Sequence, residues 1–493
     1  MDVESNRSPR TEVPGQGQLR KNAVGLPGLI AQSLGVTAPE LSAVIIAAVV
    51  ATQAGASAPL AFLVAGVGAL SLGLVYSRIA RHVPHAGGTY AIVRHVLGRD
   101  VGFLVGWLLL AVGMLFVPAL LVASAFLMEN FFGLVAPDQK WLADQWVGWA
   151  ILFGLVVLAL SYFGVQISAR VLLLLTAVGV GALLVFDIAV LVQGGAEGLA
   201  WTAFAPWNNE IGFGAFALAV GIAMTGFSGF ETAVFLAEEA HLPRKHVPRA
   251  VIGAGLLAVV FFVVTTFSIV TGYGAQAAAK NWPHDSAGAV VGLSGEYLSL
   301  GFGKFLLLLL AVSSLASALG TANFTSRVMF SWGRDGYLAP PFARTHPRHQ
   351  TPHVALGAIA ATTLVVFLVG LVWQGNSLLD GLTFFSWLLL CGATGILPVY
   401  ALVAVSGLMH GRAQGDTATM TYLVPAVAFA VVAVAEVTQF YPAQSGANRY
   451  APYVMVGWVA IGVIVRIVTR ERVAAVEARP TMDGDAAMEA GPA

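Results

Sequence analysis

Hydrophobic positions in this chain do not alternate as in a half-buried strand, nor recur every three to four residues as on an amphipathic helix. They form long, nearly unbroken runs. Apolar segments lie at 36–57, 59–77, 100–133, 146–163, 168–193, 211–237, 248–273, 301–332, 354–373, 378–407, 421–440 and 451–469. Stretches near 20 residues match the hydrocarbon thickness crossed by one helix. Strands of a membrane barrel would be about ten residues long and strictly alternating, which runs such as Leu172 to Val185 are not. Because lipid offers no partner for backbone polar groups, the runs are expected to be helices. The predicted fold is all-α and polytopic, with twelve transmembrane helices.

Composition agrees. Of 493 residues, 58% are apolar and 10% are charged, against about 25% charged in soluble domains. Mean hydropathy is +0.81. That surface excludes a soluble enzyme, and disorder requires low hydrophobicity. Net charge is zero, with 25 basic and 25 acidic residues, which argues against a nucleic-acid partner. One cysteine, Cys391, excludes a disulfide framework.

The charges that remain are unevenly placed. With the N-terminus in the cytoplasm, the segments between alternate spans gather nearly all the arginines on one side, including Arg78, Arg81, Arg94, Arg99, Arg244, Arg249, Arg327, Arg334, Arg344 and Arg348. The other side keeps Lys140, Lys280, Lys304 and Arg449. This is the positive-inside bias, with both termini cytoplasmic. Tryptophans 141, 146, 149, 201, 207, 282 and 373 fall near the expected outer ends, where an interfacial aromatic belt belongs. Residues 1–35 and 471–493 are polar and read as disordered cytoplasmic tails, the first without the apolar core of a signal peptide. Arginine outnumbers lysine, and alanine, glycine and valine abound, a composition associated with GC-rich bacterial genomes and hence a cell-membrane location.

Loop lengths repeat with opposite polarity. A long basic loop (78–99) precedes a long third span, and a long outer loop (274–300) precedes a long eighth one. That order is expected of an inverted-topology repeat, with residues 36–194 and 195–407 as its halves and 408–470 as two added helices. Each half begins with a span that contains a weak point. The first holds Gly35-Val36-Thr37-Ala38-Pro39-Glu40-Leu41-Ser42, and the sixth Thr225-Gly226-Phe227-Ser228-Gly229-Phe230-Glu231-Thr232. Proline and glycine both weaken the helix there. An unwound point exposes amide groups suited to a carboxylate and carbonyls suited to an ammonium group. Two breaks side by side suit a zwitterion, although a proline in a membrane helix is often only a kink.

Glu40 and Glu231 are acids inside these spans. A charge there costs a few kcal/mol, so each is expected to face the interior or to be protonated. Asp187, Glu129 and Glu436 lie nearer the outer ends and read as solvated, as do the scattered histidines. Ser313, Ser314 and Ser317 in the eighth span offer hydroxyls to a sodium ion, against the commoner use of small hydroxyl residues in helix packing. Nothing in the sequence points to a catalytic constellation, a metal or a cofactor.

Three blocks resemble the amino acid–polyamine–organocation (APC) permease family. The first is Phe227-Ser228-Gly229-Phe230-Glu231-Thr232 with Glu238-Glu239 and the loop from Pro243-Arg244 to Pro248-Arg249-Ala250. The second is Pro84-His85-Ala86-Gly87-Gly88-Thr89-Tyr90 running to Gly106-Trp107. The third is Ser326-Arg327 to Gly333-Arg334-Asp335-Gly336, followed by His346-Pro347 and Thr351-Pro352. The resemblance covers about residues 25–470. It implies a five-plus-five inverted repeat like that of leucine transporters and an activity of moving amino acids or related amines by alternating access. It implies substrate contacts at Thr37, Ala38, Glu40, Leu41, Ser42, Thr225, Phe227, Ser228 and Gly229, with Phe227 as an aromatic lid and Glu231 as a coupling acid. The chain also departs from the family. Ala38-Pro39-Glu40 stands where many members carry a Gly-Ser-Gly or Gly-Thr-Gly turn. Gly179 falls where some proton-coupled members carry a lysine, and Thr225 where some arginine exchangers carry a gating tryptophan. Glu40 therefore has three readings: it favours a cationic substrate, it carries a coupled proton, or it binds amide groups freed at the break.

The expected function is a secondary transporter of amino acids or amines in the lipid bilayer, with protons or sodium as possible coupling ions. Alternatives are a polyamine, ethanolamine or inorganic-ion cotransporter on the same fold, and a non-transporting nutrient sensor. The exact substrate, the coupling ion and the oligomeric state are not legible in the sequence.

Overall fold

The computed structural model describes residues 17–143, 145–205, 211–282, 286–374, 378–441 and 446–477. Described residues are helical apart from loops and one isolated bridge between Val24 and Ala240. The α-helices of eight residues or more are α1 (Leu26–Thr37), α2 (Ala47–Ala54), α3 (Ala58–Ala80), α4 (Thr89–Leu97), α5 (Arg99–Val135), α6 (Trp146–Phe163), α7 (Val165–Gln193) and α8 (Phe213–Gly226), then α9 (Pro243–Tyr273), α10 (Ser286–Tyr297), α11 (Leu300–Arg334), α12 (His353–Gln374), α13 (Leu378–Gln414), α14 (Val424–Phe440) and α15 (Ala451–Glu477). Among the described residues, ten helical segments are long and apolar enough to cross a membrane, the first being the composite Leu26–Ala80. The chain is thus a polytopic membrane protein.

Most sequence boundaries hold to within a few residues, but α13 runs on to Gln414 and α15 to Glu477, into the segment read as a tail, and the largest difference is at the N-terminus. There the helix starts at Leu26 rather than near 36, and residues from 17 onward are pinned rather than a free tail. Pro27 sits in the first turn, where its missing N–H removes no intrahelical bond. The Ala23 and Val24 amides both donate to the Glu239 carbonyl, at 2.7 and 3.0 Å, and the Gly17 amide donates to Ala343. These backbone bonds leave no mark in composition. Residues 1–16 and 478–493 lie outside the described residues.

α5, α11 and α13 are the most buried helices, and α6, α14 and α15 present broad apolar faces outward, as lipid contact demands. Glycines bring α5 and α11 together: a Cβ on Gly106 would enter the Trp332 indole, and one on Gly113 would enter Thr325. Close approach through small residues is the usual route to tight packing in lipid. α15 docks on α5 through Trp107 and Trp458. Their rings stack at 4.4 Å, and each indole N–H donates to the other's carbonyl, at 2.7 and 3.0 Å. The outer tryptophans divide. Trp141 and Trp201 are exposed as a belt requires, whereas Trp146 and Trp282 are core residues. Trp207 and the side chain of Trp373 lie outside what is described.

Ion pairs tie elements together at the arginine-rich end of the bundle. Arg327 meets Glu239 at 2.5 Å, both fully buried. Arg334 meets Glu238 at 2.6 Å and Arg94 meets Asp335 at 2.8 Å. Arg78 pairs with Asp416. The Glu238 carboxylate also accepts the Ala86 amide at 2.9 Å, and His85 lies beside Arg334. His85 is therefore a network member rather than a solvated loop histidine, and His410 is also buried.

The Arg327–Glu239 pair should dominate the stability of this end. Removing one member of a buried pair leaves an uncompensated charge, at about 3–5 kcal/mol. Glu239→Ala is expected to lower the melting temperature of the detergent-purified protein far more than Asp416→Ala at the half-exposed Arg78 pair. A second expectation concerns pH. Burial and the Arg334 charge hold His85 below its ordinary 6.5, so this contribution to stability is present above that pH and lost as pH falls below it. Burial alone would raise Glu238, but Arg334 reverses this and leaves it below its ordinary 4.5. Its contribution, present above that value, is lost as pH falls through the folded value. Both groups weaken the network on acidification. A His85→Asn variant should lose less melting temperature than wild type between neutral pH and about pH 5.

Candidate functional site

Two helix interruptions lie against each other at the centre of the bundle. α1 ends at Thr37, and Ala38 takes a left-handed conformation (φ 43°, ψ 66°) before a short turn at Pro39–Leu41 and a π-helical stretch at Ser42–Ile46. α8 ends at Gly226, and the chain runs through Phe227–Glu231 before continuing as a 3₁₀ helix over Thr232–Glu239. Gly229 within that run has φ 103°. A Cβ there would lie 2.4 Å from Val36 Cγ1 and 3.1 Å from the Thr37 nitrogen. The absent side chain is what lets the two broken backbones touch.

Groups freed at the breaks are satisfied inside the protein. Ser317 donates to the Val36 carbonyl at 2.7 Å, and Ser42 donates to the Thr37 carbonyl at 3.0 Å. The Ala233 amide donates to Ser33 Oγ at 3.0 Å. Thr232 Oγ1 donates to the Gly229 carbonyl at 2.8 Å. Gln32 donates to the Gly320 carbonyl at 2.8 Å and accepts from Asn323 at 3.3 Å. The Gly229 amide donates to Tyr400 Oη at 3.2 Å, and that hydroxyl donates to Glu231 Oε2 at 2.8 Å.

The interruptions border a small cavity. Val36, Leu109, Val112, Phe116, Phe324 and Ile396 give it an apolar side, and Ser228, Gly229, Glu231 and Thr232 a polar one. Its volume is about 10 Å³ as traced by the centre of a water-sized sphere, room for roughly one water. It is too tight for an amino acid. A larger crevice of about 310 Å³ opens on the outer face between α5, α6, α11 and α12. Its lining is nearly all aliphatic, so it lacks the polar groups that would orient a zwitterion.

The sequence-predicted residues separate into groups here. Ser228, Gly229 and Glu231 border the cavity, and Ser228 Oγ has no partner among the described residues. Thr37, Ala38, Leu41 and Ser42 form the first break. The Thr37 hydroxyl, however, donates to Ser33 within α1, and the Thr225 hydroxyl to Ile222 within α8. The Phe227 ring packs fully buried against Phe62 and Phe262, with centroids at 6.3 and 4.8 Å, and the aromatic lining of the cavity comes from Phe116, Phe235 and Phe324. Glu40 does not border the cavity. Its Oε2 accepts from Ser313 at 2.7 Å, and its Oε1 has no partner among the described residues. The carboxyl lies over α7, where a Cβ on Gly179 would come within 2.5 Å of Oε1. Ser313 and Ser317 both face the first break, while Ser314 turns to the Leu120 carbonyl of α5.

Gln32, Ser33, Asn323 and Tyr400 were not anticipated. Gln32 and Ser33 fell in the segment read as a tail, and Asn323 and Tyr400 sit within apolar runs. A lone polar residue inside such a run is the signal that would have found the last two. Asp187 and Glu129, read as solvated, are both buried.

Paired helix breaks around a central cavity in a polytopic bundle are the architecture of a membrane permease. The family comparison agrees: the amino acid permease family model matches residues 25–464, and the chain belongs to that family, within the APC superfamily. It is 27% identical over 333 residues to a branched-chain amino acid permease of Bacillus subtilis (strain 168), covering 62% of this chain and 66% of that one. It is 27% identical over 349 residues to a vacuolar cationic amino acid transporter of Arabidopsis thaliana, covering 68% and 56%. It is also 25% identical over 406 residues to a branched-chain amino acid permease of Lactococcus lactis subsp. cremoris (strain MG1363), covering 76% and 79%. The aligned part thus spans just under two thirds of the first of these relatives and little more than half of the second.

Gly229→Ala tests the contact between the breaks. The substitution is strained by its positive φ and collides with Val36, so the breaks must separate. The variant is expected to lose ligand-induced thermal stabilisation by amino acids while retaining its helical circular-dichroism signal.

Proposed function

We propose that the protein is a secondary transporter that carries a neutral amino acid with an aliphatic side chain across the membrane by alternating access. The observation that carries this reading is the close approach of Gly229, in the second break, to Val36 and Thr37 at the edge of the first. It puts freed amide and carbonyl groups of two helices at one place, next to a cavity whose far wall is aliphatic. A zwitterion's carboxylate is complementary to the amides and its ammonium group to the carbonyls. The side chain then faces Leu109, Val112, Phe116 and Ile396. Two of the relatives named above are branched-chain amino acid permeases, in keeping with an apolar side chain. A polyamine or basic amino acid fits less well, because Glu40 is directed at Gly179 and Ser313 instead of into the cavity.

In this reading the chain crosses the membrane twelve times. The composite Leu26–Ala80 accounts for two crossings, and α8 with the turns that follow it as far as Ala237 for one more. Residues 36–194 and 195–407 form the inverted repeats, and the arginine-rich end faces the cytoplasm. Glu231 senses occupancy through Tyr400, since one hydroxyl holds both the carboxylate and the Gly229 amide. Glu40 is a coupling acid: it is buried at the first break with one carboxyl oxygen unpartnered, and it changes surroundings whenever α1 moves against α7 and α11.

Two measurements test this. A panel of amino acids and amines should stabilise the purified protein thermally, with leucine, isoleucine or valine at the top. A ligand at a hundred times its dissociation constant adds about 2.7 kcal/mol. A panel in which only amines or inorganic ions shift the melt would overturn the substrate class. Glu40→Gln should retain that stabilisation but flatten the pH dependence of leucine uptake into proteoliposomes. An unchanged profile would remove Glu40 from coupling.

A further inference from the structure

Asp187 lies on α7 two turns beyond Gly179, six residues before the helix ends at Gln193. It is 1% exposed. Thr265 of α9 donates to its Oδ2 at 2.7 Å. Oδ1 has no hydrogen-bond partner among the described residues. The Ser268 hydroxyl, one turn along α9, stands beside the same carboxyl, but its hydrogen goes to the Val264 carbonyl at 2.9 Å.

That donor arrangement sets the chemistry. A hydroxyl has one hydrogen and two acceptor sites. The Ser268 hydrogen can turn to Val264 or to Asp187. With Asp187 ionised, Thr265 and Ser268 both donate to it and the Val264 bond is given up. With a hydrogen on Oδ1, Thr265 donates to Oδ2, Oδ1 donates to Ser268, and Ser268 keeps its bond to Val264. The second arrangement also removes a charge that is costly inside a membrane protein.

Among the described residues no ion pair brings a cation to Asp187, and Lys280, just past the end of α9, is exposed. On α7 the basic residue is Arg170, at the opposite end, and on α9 the basic residues Arg244, Lys245 and Arg249 are likewise at the far end. α10 contributes Leu293, which lies against Gly272, and Glu296, which is exposed. The Tyr297 hydroxyl donates to the Gly272 carbonyl, and Glu197 lies over Gly274. One carboxyl and two hydroxyls also supply too few oxygens to cage a metal cation.

We propose that Asp187, with Thr265 and Ser268, is a proton-binding site separate from the substrate cavity and loaded in this structure. The proton forms an O–H bond at Oδ1, and its release leaves a carboxylate that needs water. The site can therefore empty only when α7 and α9 part beneath the 194–205 segment, whose Ala196 and Ala200 amides now bond to Thr271 of α9. Insofar as the chain is a transporter, this links the protonation state to the opening of that end.

Infrared spectroscopy of the full-length protein in lipid reads the site without any substrate. The carbonyl stretch of a protonated carboxylic acid, present in wild type at neutral pH, should lose one component in Asp187→Asn. In Ser268→Ala the component should persist at a shifted frequency, which serves as the test should Asp187→Asn not fold. An undiminished band in Asp187→Asn, or an unshifted one in Ser268→Ala, overturns the proposal. In proteoliposomes, Asp187→Asn should abolish stimulation of leucine uptake by an inward proton gradient while sparing leucine counterflow. Gradient stimulation equal to wild type overturns the coupling role. If wild type takes up no leucine, the transport reading fails, and the infrared result still decides whether Asp187 carries the proton.

Discussion

A backbone carbonyl or amide released from a helix inside a bilayer must find its partner within the protein, because lipid supplies none. The centre of this molecule is organised by that demand. The left-handed turn at Ala38 and the non-helical run Phe227–Glu231 release several such groups in one place. Ser317, Ser42, Ser33, Thr232 and Tyr400 each direct a polar atom at one of them. The breaks are stable because hydroxyl-bearing side chains from α1, α11 and α13 converge there. Those helices are in turn held close by glycines such as Gly320, where a Cβ would strike Val36. Packing and polar satisfaction are thus one requirement, since hydroxyl groups reach the carbonyls only if the helices approach closely.

The two ends of the bundle are built differently. At the arginine-rich end, helices and loops are joined by charge pairs, and a buried pair is specific in geometry but sensitive to loss of either member. Aromatic contacts occur at both ends, the Phe103–Trp107–Trp332–Tyr337 cluster lying at the arginine-rich one, whereas the ion pairs of the described residues gather at that end alone. Charge pairs break in discrete steps and rehydrate readily, whereas an apolar contact loosens gradually and resists water.

Most of the fold was legible because transmembrane helices are written in length and hydropathy. The apolar runs predicted Trp146–Phe163 without error and most other spans within a few residues. The breaks were legible because Gly-Pro-hydroxyl-acid combinations are rare inside apolar runs. What escaped was of two kinds. Backbone pairing, such as that of Ala23 and Val24 with Glu239, depends on no side chain and has no compositional trace. Depth of burial is also invisible in one dimension. Asp187 sits near a helix end, where solvation is the reasonable expectation, yet it is buried against α9. His85 lies in a basic loop, yet that loop is folded into an ion-pair network. The direction of the Phe227 ring is decided by neighbours such as Phe62 and Phe262, which one dimension does not show.

The reciprocal Trp107–Trp458 pair has a consequence in optics. Two indoles stacked at 4.4 Å are close enough for their electronic transitions to couple, more strongly than Trp107 couples to Trp332 at 6.2 Å. Such a pair gives a bisignate signal in ultraviolet circular dichroism whose sign follows the handedness of the stack. Among the described residues each ring is also locked by its own N–H bond, so the handedness is fixed for as long as α15 stays seated on α5. The molecule carries an intrinsic chromophore that reports whether its last helix is docked, with no label attached.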